Sequence, residues 1–349
     1  MQNQSITDDA PVVSLNQFAS FLKTYLQSGE DLAPIMGWGP VGTGKSSIVR
    51  QVAEELEIGY IDTRISQLTE TDTRGVPDIK DGKSTFAVPD WFPNEERDGK
   101  RGAWVLDEYY SGLLSTQVAL YSALNEDERY IGDYKIPSGW TIIGLSNRPR
   151  DGASVTGRID SATGTRWNNQ FTLLPEIESF TSWAYDKGID ETVIAFLNFK
   201  QELLHEFPNG GIPKGRTILA CPRTWKHVSK NLSLGLDPVL EHISIEGSVG
   251  KAAAAEFVAF KRLFGLLPDW KDCFADPDNA PIPQDVSTQY AIISQLSNKV
   301  GTDSQFEAGA RYASRMSDEL VQVFIRLVVT RDDTFKATST YIDHAIANQ

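Results

Sequence analysis

The chain has 349 residues, 40% of them apolar and 23% charged, the composition of a folded globular protein with room for two domains. Its formal charge is −14, from 33 basic and 47 acidic residues, and that sign sets the chain as a whole against nucleic-acid binding. No apolar run approaches the length of a membrane span and the first residues lack the basic segment of a secretory signal. Cys221 and Cys273 fit neither a CxxC pair nor a zinc-ligand spacing, so a reducing cytoplasm is the expected compartment.

In chain order, Leu15, Phe18, Phe21, Leu22, Tyr25 and Leu26 recur at helical spacing and predict a first helix over 15–26. Ile35 and Met36 then form a short buried strand, which enters Gly39-Pro40-Val41-Gly42-Thr43-Gly44-Lys45-Ser46-Ser47. Helical periodicity resumes over 45–57 through Ile48, Val52 and Leu56. A strand, a G-x-x-x-x-G-K-S loop and a helix make the pattern of a phosphate-binding loop. The glycines let backbone N–H groups turn inward on an anion and Lys45 reaches the β- and γ-phosphates of ATP. Ser46 takes Mg²⁺, and the helix adds its positive N-terminus. A glycine-rich turn ahead of a helix is the plainer alternative, and the flanking elements weigh against it.

Short strands follow over 60–63, 103–106, 141–145 and 171–174, with a helical stretch over 116–124. This alternation predicts an α/β fold, a three-layer αβα parallel sheet with right-handed crossovers. The strand over 103–106 runs into Asp107 and Glu108. Asp107 is the candidate second holder of Mg²⁺, directly or through water, and Glu108 the candidate base for the attacking water. The following strand ends at Asn147. Strand tips of an open α/β sheet face the ligand crevice, so Asn147 is the candidate for orienting that water, against the plain reading of a turn-forming Asn. Residues 86–93 read as an aromatic, Pro-rich pore element or as a hairpin packed on the sheet edge. Residues 128–137 read as a hairpin turning at Gly132-Asp133. Neither is assigned a site. After about residue 176 helical patterns dominate, over 180–187, 191–207 and 225–234, and past 247 they continue around a Pro-rich loop at 276–283. The expected domains are 1–176 for the nucleotide, 177–246 as a smaller all-α lid, and 247–349 as a C-terminal helical extension of unknown role.

Together these residues resemble the AAA+ superfamily of P-loop ATPases, with 39–46 as Walker A, 105–108 as Walker B and Asn147 as sensor 1. More narrowly, Thr71-Asp72-Thr73-Arg74-Gly75-Val76-Pro77-Asp78 and Asn147-Arg148-Pro149-Arg150-Asp151 resemble the MoxR-type branch, which includes the CbbQ, NorQ and GvpN activators and phage or bacterial relatives. The resemblance spans about residues 12–234 and does not extend past about 247. It implies a homo-oligomeric ring, usually a hexamer, with ATP at the subunit interfaces and an arginine from one subunit reaching its neighbour's γ-phosphate. The family carries that arginine in a short Asn/Asp-Arg-Phe motif. Here the sequence reads Gly164-Thr165-Arg166-Trp167-Asn168-Asn169-Gln170-Phe171, so Arg166 is the best match, although the spacing to Phe171 departs from the pattern and Arg158 is a rival. Cys221-Pro222-Arg223-Thr224-Trp225 resembles sensor 2, in which Arg223 would contact the γ-phosphate of its own subunit, although proline is also an ordinary opener of helices.

The activity that the resemblance implies is ATP hydrolysis coupled to remodelling, maturation or assembly of a client or adaptor protein, often one with a von Willebrand A domain. A nucleic-acid motor or clamp-loader-like ATPase is the alternative from another class. It would need Lys or Arg where 86–93 and 128–137 offer mostly Asp, Trp, Phe and Tyr. A nucleotide-switched assembly scaffold is a third reading, against which an intact Glu108 argues.

Overall fold

In the computed structural model, which describes residues 9–29, 31–151 and 161–347, the chain separates into two units. One holds residues 1–175 with 207–216, the other 176–206 with 217–349. The first unit runs β1 (Val12–Val13), α1 (Leu15–Gln27), β2 (Ile35–Trp38), α2 (Lys45–Glu55), β3 (Gly59–Arg64), α3 (Glu70–Arg74), β4 (Val76–Lys80) and β5 (Lys83–Ala87). It continues with α4 (Glu95–Asp98), β6 (Gly102–Asp107), α5 (Leu114–Ala119), β7 (Tyr130–Ile131), β8 (Tyr134–Lys135), β9 (Trp140–Ser146), α6 (Ser161–Gly164) and β10 (Asn169–Leu173).

Among the described residues six strands form one sheet in the order β1-β10-β2-β9-β6-β3, and every pairing in it is parallel. The parallel sheet with flanking helices expected from the sequence is thus the observed one. Its central strands β2, β6 and β9 are buried on both faces, which is why they read as continuous apolar runs. Successive side chains part to opposite sides. Val105 and Ala103 of β6 join Phe18 and Leu22 of α1 and Val49 and Val52 of α2, while Trp104 and Leu106 join Trp38, Tyr109, Trp140 and Trp167 on the other face.

Two hairpins interrupt the alternation. β4 and β5 turn at Asp81-Gly82, both with positive φ (52° and 72°), the signature of a tight two-residue hairpin turn. The aromatic segment 86–93 begins at the end of this hairpin instead of forming one. Phe92, only 2% exposed, lies 5.6 Å from the ring of Trp104 and 5.4 Å from that of Tyr134, so it packs on the sheet. β7 and β8 form the second hairpin about Gly132-Asp133, as the sequence suggests.

The second unit is helical: α7 (Ile177–Asp186), α8 (Glu191–Phe199), α9 (Pro222–Leu232), α10 (Pro238–Val249), α11 (Lys251–Phe264), α12 (Trp270–Ala275), α13 (Val286–Lys299), α14 (Asp303–Ser314), α15 (Asp318–Arg331) and α16 (Ser339–Ala347). The helix expected over 191–207 is shorter. Lys200 leaves helical backbone (φ −118°, ψ 67°), the indole N–H of Trp225 takes the Leu203 carbonyl at 2.7 Å, and Phe207 already belongs to the first unit. Residue 247, where the sequence reading starts a separate extension, falls within α10. One core of Phe196, Trp225, Ile245, Phe257 and Ala291 draws on both sides of it. Among the described residues no helix is long and apolar enough to cross a membrane.

Candidate active site

β2 lies between β9 and β10, so chain connections leave it toward both halves of the sheet, and the carboxyl end of such a strand is where open α/β sheets place their ligands. The loop that leaves β2 there is the glycine-rich one. Gly39 passes so close to β10 that an added Cβ would stand 2.4 Å from the Leu173 carbonyl oxygen, which excludes any side chain. Gly42 (φ 74°) and Gly44 (φ 97°) take the left-handed backbone that glycine adopts without strain. Gly44 is the N-cap of α2 and has no side chain to cap with, so the first N–H groups of α2 are offered to an anion held by the loop. Pro40 and Thr43 are buried, Val41 and Ser46 half-buried, and Ser47 exposed. The Thr43 hydroxyl donates to the Pro40 carbonyl at 3.2 Å and steadies the turn.

Lys45 reaches back over this loop. Its ammonium donates to the carbonyls of Gly39 and Pro40, both at 2.9 Å, and to Oδ1 of Asn147 at 3.0 Å. The loop after β2 and the tip of β9 are joined a second time by the Gly39 N–H and the Ser146 carbonyl at 3.1 Å. Two residues more than a hundred apart in sequence, Lys45 and Asn147, therefore share one hydrogen bond.

Asp107 and Glu108 sit at the end of the adjacent strand, β6. Burial pushes the Asp107 carboxyl above its ordinary value, while the nearby Lys45 ammonium pulls it down and Asp62 pushes it up. The Glu108 N–H donates to Asp107 Oδ1 at 2.9 Å. Glu108 itself has φ 54° and ψ 35°, a conformation that costs a residue with a side chain about 1–3 kcal/mol and concentrates at functional sites. Its carboxylate accepts a short hydrogen bond from the Ser66 hydroxyl. Sheet register explains the meeting. Arg64 of β3 pairs with Asp107 of β6, so the residues just past each strand end lie side by side. The Tyr110 N–H donates to Ser146 Oγ at 3.3 Å and ties this strand end to β9.

Beyond Asn147 the backbone is held by an ion pair with no exposure of either partner. Arg148 contacts Asp151 at 2.6 Å, donates to the Pro208 carbonyl at 2.7 Å, and its own N–H donates to Asp151 Oδ2 at 2.7 Å. Arg166 follows α6 in the first unit, with its guanidinium over the Tyr121 ring. Arg223 is exposed near the start of α9, in the second unit. Arg158 lies outside the described residues.

Sequence reasoning missed Ser66, the Arg148–Asp151 pair and Tyr60, whose hydroxyl lies 3.4 Å from the Ser46 carbonyl and 3.3 Å from Asp62 Oδ2. Ser66 carries no motif, and only strand register brings it to Glu108. The Arg148–Asp151 pair was visible as opposite charges three residues apart around a proline, a pattern whose burial no sequence rule announces.

The donor set fits a nucleoside triphosphate with a hard divalent cation. The loop supplies close-approach glycines, helix N–H groups and one ammonium, all suited to phosphate. Among the described residues no group of three or more His, Cys, Asp or Glu could hold a metal ion unaided. Ser46 and Asp107 supply oxygen donors of the kind Mg²⁺ takes, and Mg²⁺ in such sites completes its shell from phosphate and water.

A family model described as ATPase family associated with various cellular activities (AAA) matches residues 35–163, from β2 through the tip of β9 and into α6. Residues 35–163 are thus similar to an AAA-family ATPase domain. No curated protein matches the chain. Among solved structures it is similar to NtrX from Brucella abortus in complex with ADP, at 16% identity and a TM-score of 0.40, over 100% of this chain and 69% of that one. It is also similar to the Thermotoga maritima RuvB Holliday junction branch migration motor, at 13% identity and a TM-score of 0.33, over 86% of each chain. The matched segment lies within the first unit, and Gly39, Lys45, Asp107, Glu108 and Asn147 all fall inside it.

Proposed function

We propose that the protein is a ring-forming, Mg²⁺-dependent ATPase of the MoxR type, which couples ATP hydrolysis to the remodelling, maturation or assembly of a partner protein. The observation that carries the catalytic part is the meeting of Lys45 with Asn147 beside the strand end that bears Asp107 and Glu108. A phosphate-binding loop alone would explain only binding. A carboxylate pair and a polar strand tip on the next two strands add what hydrolysis needs.

In this reading the loop and Lys45 hold the β- and γ-phosphates, and Ser46 and Asp107 hold Mg²⁺. The bound ion would offset charge on the phosphates and supply the electrophilic pull of phosphoryl transfer. Glu108 accepts the proton of the attacking water, and Asn147 orients that water. Arg166 extends to the nucleotide of the adjacent subunit, and Arg223 senses the nucleotide of its own. A nucleotide domain over 1–176 goes with this reading, as do a hexameric ring, a cytoplasmic site of action and a client with a von Willebrand A domain.

The test is ATP turnover of the full chain beside its Glu108→Gln variant, with oligomeric state measured by mass photometry with and without Mg-ATP. We expect the wild type to hydrolyse ATP and both proteins to assemble into rings with nucleotide. Equal turnover in the two proteins would remove Glu108 as the base. Monomers at saturating nucleotide would remove the ring. The client side is tested by whether a protein retained on the Glu108→Gln ring, purified separately, raises wild-type turnover. A nucleotide-dependent rise supports the remodelling role, and turnover raised instead by DNA in a salt-sensitive manner would replace it with a nucleic-acid motor.

A further inference from the structure

We propose that Tyr121 is a positioning residue for Arg166, its ring holding the guanidinium in the attitude from which it serves the neighbouring subunit's nucleotide. The inference deepens the ring reading above and rests on it. The Tyr121 side chain lies just past α5, and the Arg166 guanidinium carbon sits 4.4 Å from the centre of its ring, within the range of a cation–π contact. The ring is itself anchored. Its hydroxyl shares a 2.6 Å hydrogen bond with Oγ1 of Thr163, which is 1% exposed. The Arg166 N–H closes onto the Thr163 carbonyl at 3.2 Å. Tyr121 therefore grips the same turn from which Arg166 departs, once through the hydroxyl and once through the ring face.

The next residue fixes the other side. Trp167 is 3% exposed, donates from its indole N–H to the Tyr110 hydroxyl at 3.3 Å, and meets Tyr109 edge-on at 5.1 Å. It also lies on Gly144 of β9, where an added Cβ would stand 2.5 Å from the Trp167 ring. The backbone of the arginine is thus nailed to the strand ends that carry Glu108 and Asn147, and its side chain to a ring. An arginine that must find a phosphate across an interface loses rotamer freedom on arrival. A ring that restrains it beforehand lowers that cost. Stacking engages the face of the guanidinium, whereas its N–H donors lie in its plane, so support by Tyr121 and capture of a phosphate are compatible.

The experiment compares ATP turnover of full-length Tyr121→Leu, Tyr121→Phe, Tyr121→Trp and Arg166→Ala. Without an aromatic face, Tyr121→Leu should lose about 2- to 30-fold in kcat, the range of a cation–π contact, with KM and the affinity for a fluorescent ATP analogue unchanged. Tyr121→Phe and Tyr121→Trp, which keep a ring but lose the bond to Thr163, should lose less than Tyr121→Leu. The deciding arm is mixing. Subunits with Glu108→Gln hydrolyse nothing themselves but carry an intact Arg166 and Tyr121, so an excess of them should restore the turnover of Tyr121→Leu subunits. Wild-type turnover in Tyr121→Leu, or no restoration by mixing where Arg166→Ala is restored, overturns the positioning role. Unchanged turnover in Arg166→Ala removes the trans-acting arginine on which the proposal stands. That outcome is distinct from a failure at Tyr121 alone. Should Tyr121→Leu not fold, Tyr121→Met takes its place, with the same expected loss and the same restoration.

Discussion

The carboxyl edge of the sheet and the helical core of the second unit are built on opposite plans. At the edge each polar group of interest is held by another polar group: Lys45 by Asn147, Glu108 by Ser66, Asp107 by the Glu108 N–H, Arg148 by Asp151. In the second unit the work is done by apolar volume, with Phe196, Trp225, Phe257 and Phe260 in one cluster and Ile292, Phe306, Phe324 and Val328 in another. Directional bonds fix where an atom is, whereas apolar burial fixes only that a space is filled. An edge built from bonds between distant strands can hold reacting groups in register. A core built from volume makes a body that keeps its shape.

The largest expected effect breaks the edge and leaves the core alone. Glu108→Gln keeps the size and the hydrogen-bonding reach of the side chain but removes the proposed base, and general base catalysis supplies about 10²- to 10⁴-fold. Turnover should fall by that factor while the affinity for a fluorescent ATP analogue stays within about twofold. The complementary change breaks the core and spares the edge. Phe257→Ala empties a fully buried ring site between Phe196 and Trp225 and should cost about 3–5 kcal/mol in a denaturant titration. At temperatures where the variant is folded its nucleotide affinity should match wild type. A fall in affinity there would show that the two plans are not separable.

The same contrast decides what could be read from the sequence. The central strands were legible because burial on both faces leaves runs such as Trp104-Val105-Leu106. The loop was legible because phosphate binding demands glycines at fixed spacing. The helices of the second unit were legible as helices, yet their grouping was not: Ile245 and Phe257 lie on either side of residue 247 and share one core. Periodicity reports a face to be buried and is silent about the partner. Ser66 failed for the same reason. Its role depends on Arg64 standing opposite Asp107, a register that is set by the whole sheet. For Phe92 the sequence left a pore element and packing on the sheet edge both open, because an aromatic beside prolines carries no mark of its partners, and the Trp104 and Tyr134 rings that cover it decide for packing.

A smaller effect tests whether the edge gives up stability for its chemistry. Burial raises the Asp107 carboxyl, so the folded chain binds that proton more tightly than the unfolded chain does. Ionised Asp107 therefore costs stability above its folded pKa, and the cost fades as pH falls through that value toward the ordinary carboxylate range. Asp107→Asn keeps an oxygen for the Glu108 N–H and removes the charge. At pH 7.5, in Mg²⁺-free buffer, it should be more stable than wild type by about 0.5–2 kcal/mol, and it should have lost Mg²⁺-dependent turnover. The difference in melting temperature between the two proteins should shrink toward pH 4. A gap that is constant with pH would place the strain elsewhere at the strand end.

The smallest expected effect is at Ser66, and it asks what a bond at the edge is for. The Ser66 hydroxyl occupies a lone pair on the carboxylate proposed to accept a proton from water. If the bond parks Glu108, Ser66→Ala frees that oxygen and basal turnover should rise. The ceiling is about tenfold, because a hydrogen bond to a charged group contributes about 1.5 kcal/mol and water replaces part of it. If the bond instead aims the carboxylate, turnover should fall by a similar factor. Ser66→Thr keeps the hydroxyl and should stay near wild type in either case, which separates loss of the bond from loss of packing. Basal turnover measured alone gives the sign. A rise would mean that the edge holds its base in reserve as well as in register, a role that no contact in the apolar core of the second unit could fill.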